Sequence, residues 1–126
     1  MARRAIATER APGAIGTYSQ AIEADGTVYL SGQIPLDPDS MEMVAGDIRD
    51  QIRRVFDNLA AVAAAAGGTL DQAVKFNVYL TDLADFGAVN EVMAEYLQEP
   101  FPARAAVQVA ALPKQARVEV DAILRL

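Results

Sequence analysis

The fold is decided by residues 47–80, which read DIRDQIRRVFDNLAAVAAAAGGTLDQAVKFNVYL. The first half has apolar residues at steps of three and four, which is typical of one face of an amphipathic helix. These residues are Ile48, Ile52, Val55, Leu59 and Val62. Asp47 is a plausible N-cap for this helix, and Gly67-Gly68 is a plausible stop. From Val74 to Leu80 apolar and polar residues alternate, which predicts a half-buried strand.

The segment before this stretch predicts a short antiparallel sheet. Residues 3–8 and 18–24 are predicted to be extended, and Asp25-Gly26 is a turn dipeptide of the hairpin type. Residues 28–31 then form the returning strand. Prolines and a glycine between residues 35 and 46 mark a loop that leads to the first helix.

The segment after residue 80 predicts a second helix, over about 86–97, and two closing strands near 103–110 and 117–125. Prolines end the helix, and the turn Leu112-Pro113-Lys114 joins the strands. The order is therefore β-β-β-α-β-α-β-β, an α+β plan with two helices on one face of a sheet. No element remains for the other sheet face, so we expect a partner subunit to cover it.

The composition indicates one acidic domain, residues 1–126. Apolar residues make up 52%, and seventeen acidic against eleven basic residues give a net charge of −6. Nucleic acids and anionic membranes both attract basic surfaces, so we expect neither as a partner.

The absence of cysteine and histidine excludes a Cys/His zinc site, a cysteine nucleophile and a Ser–His–Asp triad. Any metal would have to be held by carboxylates alone. Arg3 and Arg4 precede no long apolar stretch, and the longest apolar run, 59–66, is far shorter than the roughly twenty residues that span a bilayer. We therefore expect no Sec signal peptide and a cytoplasmic location.

Arg104 is the first candidate for substrate binding. On its strand it shares a face with the small residues Ala106 and Ala110, which leaves space for a guanidinium to hold both oxygens of a carboxylate. On the residues alone, a solvated or ion-paired surface arginine is the simpler explanation.

Glu119 is the second candidate, because a carboxylate there could orient a water molecule or move protons. A cross-strand salt bridge is the simpler explanation. If the closing strands form a simple hairpin, Glu119 lies opposite Gln108. It is then four residues from Arg104, which is roughly 13 Å at about 3.3 Å per residue. A shared pocket does not follow from that geometry.

Three further residues could line a site, although each has a simpler explanation. Tyr18 could supply a wall with a hydroxyl group, or it could simply pack. Ser31, followed by Gly32, ends a strand and offers a hydroxyl and backbone N–H groups, but serine is also common in turns. Asn90 lies within a helix, where asparagine is mildly unfavourable, or it could face solvent.

Several motifs together resemble the RidA/YjgF family in content, order and spacing, over nearly the whole chain. They are Gly16-Thr17-Tyr18-Ser19-Gln20-Ala21, Ser31-Gly32-Gln33-Ile34-Pro35, Val89-Asn90, Phe101-Pro102-Ala103-Arg104-Ala105, Ala111-Leu112-Pro113-Lys114 and Val118-Glu119-Val120-Asp121-Ala122. The run from Phe101 to Ala122 is the most specific part.

This resemblance implies a chorismate-mutase-like α+β fold with a mixed sheet. It also implies a homotrimer whose sheets form a central barrel and whose active-site clefts lie between subunits. The implied activity is hydrolysis of reactive enamine/imine intermediates, 2-aminoacrylate/2-iminopropanoate and 2-iminobutanoate, to 2-keto acids and ammonia. This reaction protects PLP enzymes, and it requires no metal and no other cofactor.

Residue by residue, the resemblance makes Arg104 the group that holds the substrate carboxylate. It makes Glu119 the group that positions the attacking water and moves protons. The remaining pocket residues are Tyr18, Ser31, Gly32, Asn90 and Ala106. Ala106 replaces a cysteine that is frequent in the family, and Thr17 replaces the proline of the usual Gly-Pro-Tyr.

Other functions stay open beside the deaminase. One is a non-catalytic trimer that binds or senses small keto or amino acids, and another is a holdase-like chaperone. RNA cleavage has also been associated with the family, but the charge of −6 and the absence of histidine argue against it. The combination of Arg104 and Glu119 favours the enzyme.

Overall fold

The structure, a computed structural model, describes residues 2–126 and contains one six-stranded sheet with both helices on one face. Its elements are β1 (Arg4–Ile6), β2 (Ala21–Ala24), β3 (Thr27–Gln33), α1 (Ile48–Ala65), β4 (Ala73–Leu80), α2 (Phe86–Tyr96), β5 (Ala103–Gln108) and β6 (Val118–Arg125). Short 3₁₀ turns lie at Leu70–Gln72, Leu83–Asp85 and Pro113–Gln115. The predicted element order and fold class are confirmed.

Both ends of α1 follow the sequence signals. Asp47 forms a capping box, in which its Oδ1 accepts a hydrogen bond from the backbone N–H of Asp50 at 3.0 Å. At the other end Gly67 adopts a φ of 87°, which a residue without a Cβ tolerates. The N–H groups of Gly67 and Gly68 then donate to the Ala64 and Ala63 carbonyls at 3.0 and 2.9 Å, which ends the helix.

The core lies between the helices and one face of the sheet. Phe56 of α1 and Phe76 of β4 are both fully buried, with ring centroids 5.5 Å apart. Burial of each ring contributes roughly 2–3 kcal/mol to folding. In β6 the buried positions alternate with half-buried ones, as the sequence pattern predicts. The strand faces are therefore fixed by this core.

The outer side of the helices is charged. Arg49 pairs with Glu91 at 2.7 Å, and Arg53 pairs with Glu95 at 2.9 Å, so two exposed ion pairs link α1 to α2. Exposed pairs of this kind contribute about 0.2–1 kcal/mol each. In the part of the chain that the structure describes, neither helix has the length and apolar character needed to cross a membrane.

The strand order β1-β2-β3-β6-β4-β5 excludes one geometry that the sequence left open. Strands β5 and β6 do not form a simple hairpin, because β4 lies between them, antiparallel to β6 and parallel to β5. The reason is that β4, α2 and β5 form a strand–helix–strand unit, whose crossover helix returns the chain parallel to its start.

The face of the sheet opposite the helices stays open. No element within residues 2–126 packs over it, as the sequence predicts. Tyr29 is 51% exposed there, and Val107 is 46% exposed. This open face also carries a polar group of side chains, in which Asn77 and Tyr79 both donate hydrogen bonds to Asp121.

Candidate functional site

Arg104 lies at the edge of the sheet, where β5 meets α2. Its Nη1 donates a hydrogen bond to Oδ1 of Asn90 at 2.6 Å and lies 3.7 Å from Sδ of Met93. Its Cζ is 4.8 Å from the ring centroid of Phe86, a cation–π contact. These contacts fix the guanidinium on the helix face of the sheet, beside a cavity of about 360 Å³ that also includes Phe101.

The sequence places these partners of Arg104 together by simple periodicity. Asn90 and Met93 are three residues apart in α2 and therefore lie on the same side of the helix. Within residues 2–126, Arg104 forms no ion pair with a carboxylate. Because a guanidinium has five N–H donors, it keeps donors free for a ligand. We call this place the Arg104 cavity.

Glu119 lies in a second cavity, of about 380 Å³, on the open face of the sheet. Tyr18, Ser31 and Gly32 line one side of this Glu119 cavity. Apolar side chains line much of the rest, among them Ile15, Ile34, Leu36 and Met41. Its floor is the β3–β6 pair, in which Glu119 is half-buried.

The surroundings of Glu119 favour its protonated form. Burial raises the pKa of its carboxyl above the usual value, and the negative charge of Asp121 raises it further. Tyr79, the neighbour of Glu119 in β4, donates from its hydroxyl to Asp121 at 3.0 Å. A carboxyl with a raised pKa can give and take protons closer to neutral pH.

Residues 2–126 contain no group of three or more acidic, histidine or cysteine side chains that could hold a metal.

The loop that carries Tyr18 is fixed by buried and partly buried hydrogen bonds. The hydroxyl of Ser31 donates to the carbonyl of Ser19 at 2.6 Å. Ser31 therefore anchors this loop, in addition to its expected role of lining the pocket. The buried carboxamide of Gln20 donates from Nε2 to the carbonyl of Pro12 at 2.8 Å and accepts from the N–H of Thr8 at 2.7 Å. Tyr18 itself is half-exposed and lies in the Glu119 cavity.

The structure separates the predicted site residues into two groups. Arg104 and Asn90 lie on the helix face, whereas Glu119 and its neighbours lie on the open face. Arg104 is level with Phe76 of β4, and Glu119 is level with Tyr79. The Cα atoms of Arg104 and Glu119 are separated by three residues along the strand direction and by two strand spacings, which is about 14 Å. One chain does not bring Arg104 and Glu119 to a single substrate.

Ala106 belongs to neither group. It lies on the same side of β5 as Arg104, but its half-buried side chain packs against the core. It lines neither the Arg104 cavity nor the Glu119 cavity.

Some residues that shape these cavities were not singled out from the sequence. Met93 and Phe86 hold Arg104, and the signal for Met93 was its spacing of three from Asn90. Gln20 belongs to the motif at residues 16–21, but its role in fixing the loop depends on contacts with residues far away in the sequence. Asp121 follows Glu119 by two residues in β6, which places the two carboxyl groups on one face.

Comparisons with known proteins agree on one family. The family model described as Endoribonuclease L-PSP matches residues 8–125. The 2-iminobutanoate/2-iminopropanoate deaminase of Homo sapiens is 47% identical over 121 residues, which is 96% of this chain and 88% of the human one. RidA from the Antarctic bacterium Psychrobacter sp. is 54% identical with a TM-score of 0.94, covering 98% of this chain and 99% of that one. The structure of E. coli TdcF with bound serine has a TM-score of 0.91 at 40% identity, covering 98% of each chain.

Proposed function

Because the chain belongs to the RidA/YjgF family, we propose that it is a hydrolytic deaminase acting on 2-iminopropanoate, 2-iminobutanoate and their enamine forms. The products are 2-keto acids and ammonia. Relatives named for this activity, from Homo sapiens and Dermatophagoides farinae, are 47% and 48% identical to the chain. The observation that carries the proposal is Arg104, a guanidinium oriented by Asn90 and not paired with any carboxylate of residues 2–126.

Arg104 binds the carboxylate of the imino acid. Its planar fork can donate to both carboxylate oxygens, and such charge-assisted bonds are about twice as strong as neutral ones. The bond to Asn90 limits the rotation of the guanidinium, so less conformational entropy is lost on binding. The imine carbon, one bond from the carboxylate, is then held at a fixed place.

Glu119 assists the addition of water to that carbon. The carboxylate takes a proton from water as the oxygen bonds to carbon, and the electron pair of the C=N bond moves to nitrogen. The protonated Glu119 carboxyl then gives this proton to the nitrogen of the carbinolamine, and ammonia leaves as the hydroxyl proton is removed and the C=O bond forms. One water molecule is consumed and no oxidant is needed. Since an iminium carbon is already electrophilic, positioning and proton transfer suffice.

We also propose that the site is completed between subunits of a homotrimer. Arg104 and Glu119 lie on opposite faces of one sheet, about 14 Å apart between Cα atoms. The open face, with exposed Tyr29 and Val107, is the surface that a second copy would cover. A neighbouring subunit could then bring its Arg104 to the Glu119 cavity of the first.

The place of action follows from the chemistry of the substrate. Enamines and imines hydrolyse or react within a short time, so the protein has to act where PLP enzymes release them. We propose the cytoplasm. Removal of 2-aminoacrylate there would protect PLP enzymes from covalent damage.

Two other activities are weaker candidates. A non-catalytic binder of small amino or keto acids is favoured by one observation, that the related TdcF was solved with bound serine. The family description names an endoribonuclease, but a chain without histidine and with a net charge of −6 is poorly suited to bind RNA phosphates.

The test is a coupled assay in which a PLP-dependent serine dehydratase releases 2-aminoacrylate and pyruvate is followed. We expect the protein to accelerate pyruvate release, and the Arg104→Ala variant to have no effect. Absence of acceleration by the unmodified protein would reject the deaminase. If serine or pyruvate still bound in calorimetry, the non-catalytic binder would be favoured instead.

A further inference from the structure

Strand β3 contains an irregularity at the point where it passes Glu119. Leu30 pairs with Ala122 and Gln33 pairs with Val120, so Ser31 and Gly32 together face the single residue Asp121. This is the two-against-one pattern of a β-bulge, which locally changes the direction of side chains and is frequent near functional sites. The bulge brings the backbone of Gly32 under the side chain of Glu119.

The space next to Gly32 is filled by the Glu119 side chain. A Cβ atom at Gly32 would overlap Oε2 of Glu119 and would stand 2.8 Å from its Cδ and 3.1 Å from its Cγ. All three nearest atoms thus belong to one residue. Gly32 does not have a positive φ, unlike Gly26, Gly46 and Gly67, so its backbone conformation does not demand glycine. What a side chain at position 32 would disturb is Glu119.

Hydrogen bonds do not fix the Glu119 carboxyl within this chain. Among residues 2–126, no backbone or side-chain group donates a hydrogen bond to it, whereas Asp121 two positions later accepts from both Asn77 and Tyr79. The position of the Glu119 carboxyl is therefore set by the surfaces that it packs against. Gly32 provides one of these surfaces.

We propose that Gly32 is a positioning residue for Glu119: the missing side chain provides the space in which the Glu119 carboxyl lies against the bulge of β3. This role rests on the proposed function, in which Glu119 handles the attacking water. It differs from the substrate contact that the family resemblance implies for Gly32. The contact with Gly32 is part of the surroundings that leave Glu119 half-buried, and this burial, together with the charge of Asp121, raises the pKa of the Glu119 carboxyl.

The first test is the kinetics of Gly32→Ala. The new methyl group displaces the flexible end of Glu119, so we expect kcat to fall about 10²-fold, which is typical of an ångström-scale misplacement of a catalytic group. KM should change less than threefold, because Arg104 in the other cavity is untouched. Gly87→Ala is the matched control, since a Cβ at Gly87 meets no atom within 4 Å. A kcat for Gly32→Ala equal to that of the control would overturn the proposal.

The second test does not depend on catalysis. The three atoms nearest to a Cβ at position 32 all belong to Glu119, so Gly32→Ala should lower the urea midpoint of the unmodified protein and leave that of Glu119→Ala unchanged or raised. An equal loss in both backgrounds would mean a structural role unrelated to Glu119, and would overturn the proposal. If Gly32→Ala alone does not fold, recovery of folding in the double variant Gly32→Ala/Glu119→Ala supports the positioning role of Gly32. Failure of both variants to fold refutes that role.

The two tests separate failure of this inference from failure of the proposed function. If Glu119→Ala keeps full activity, the catalytic role of Glu119 falls, whereas the urea cycle still measures the contact with Gly32. If Glu119→Ala is inactive and Gly32→Ala is fully active, the catalytic role stands and the positioning role of Gly32 is wrong.

Discussion

The Arg104 cavity and the Glu119 cavity hold their charged groups by opposite means. Arg104 stands on an edge strand and is fixed by contacts with Asn90, Met93 and Phe86 of α2. Glu119 stands on a central strand, accepts no hydrogen bond within residues 2–126, and is fixed by packing. The cation is thus oriented but stays charged, which suits binding. The acid is partly desolvated, which raises its pKa and suits proton transfer.

The separation of the two cavities is the reason for proposing a site that is shared between subunits. The two groups face opposite sides of one sheet, so no rotamer change within the chain brings them to the same carbon atom. Substitutions in the two cavities should therefore affect binding and turnover separately, and the following outcomes test that division from the largest effect to the smallest.

Removal of the guanidinium should have the largest effect. Arg104→Ala loses two charge-assisted hydrogen bonds to the carboxylate, each worth about 1.5–3 kcal/mol, so kcat/KM for imine hydrolysis should fall about 10³-fold or more. Arg104→Lys should recover only part of this, because an ammonium group cannot form the planar two-point contact. Arg104 lies outside the buried core and Arg104→Ala leaves the exposed apolar residues of the open face in place, so gel filtration should show an unchanged oligomer. Near-normal activity of Arg104→Ala would contradict the role of Arg104 in binding the substrate carboxylate.

Removal of the carboxylate should affect turnover more than binding. Glu119→Gln keeps the shape of the side chain and loses the base, so kcat should fall about 10²-fold with little change in KM. The affinity for pyruvate, measured by calorimetry, should also stay close to that of the unmodified protein. A rise in KM at constant kcat would show that Glu119 binds substrate.

The pH dependence of activity, compared between the unmodified protein and Glu119→Gln, shows whether Glu119 acts as a base. A base acts when ionised, so activity of the unmodified protein should rise with pH through the pKa of Glu119 and fall as pH drops below it. Because burial and Asp121 raise that pKa, the midpoint of this rise in activity, the acidic limb of the profile, should lie above the pH range of an ordinary glutamate. The charged or titratable side chains around this carboxyl are Tyr18, Tyr79, Lys114 and Asp121. Glu119→Gln should lack the limb, and a profile identical in both proteins would remove Glu119 from the proton transfer.

Removal of the group that orients Arg104 should have the smallest effect. Asn90→Ala keeps the cation but deletes its 2.6 Å hydrogen bond, so KM should rise about tenfold and kcat should change little. Asn90→Asp should weaken binding further, since a carboxylate at that place would pair with Arg104 and compete with the substrate. Steady-state kinetics of the two variants side by side would show the order, and an unchanged KM in both would mean that Asn90 does not orient Arg104.

Much of the fold could be predicted from local patterns. The helical spacing after Asp47, the alternation from Val74 to Leu80 and the glycine stop at Gly67 are local signals, and the structure confirms them. Side-chain alternation also placed Arg104 and Glu119 on definite faces of their strands. The motifs from Phe101 to Ala122 were specific enough to indicate the family.

The neighbours of each strand could not be predicted in the same way. Alternation tells which side chains share a face, but it does not tell which strand lies alongside. A simple hairpin of β5 and β6 was therefore left open by the sequence and is excluded by the structure, although the order strand, helix, strand from β4 to β5 favours parallel pairing of β5 with β4. The bulge at Ser31 and Gly32 is likewise invisible in the sequence, because it exists only relative to its partner strand.

The most direct test of a site shared between subunits mixes the Arg104→Ala and Glu119→Ala subunits. Each variant alone should keep no more than about one hundredth of the activity. Co-expression at equal levels should restore about a quarter of the activity of the unmodified protein, because a random trimer joins an intact Arg104 to an intact Glu119 at that fraction of its interfaces. A mixture as inactive as its components would contradict completion of the site by a second copy.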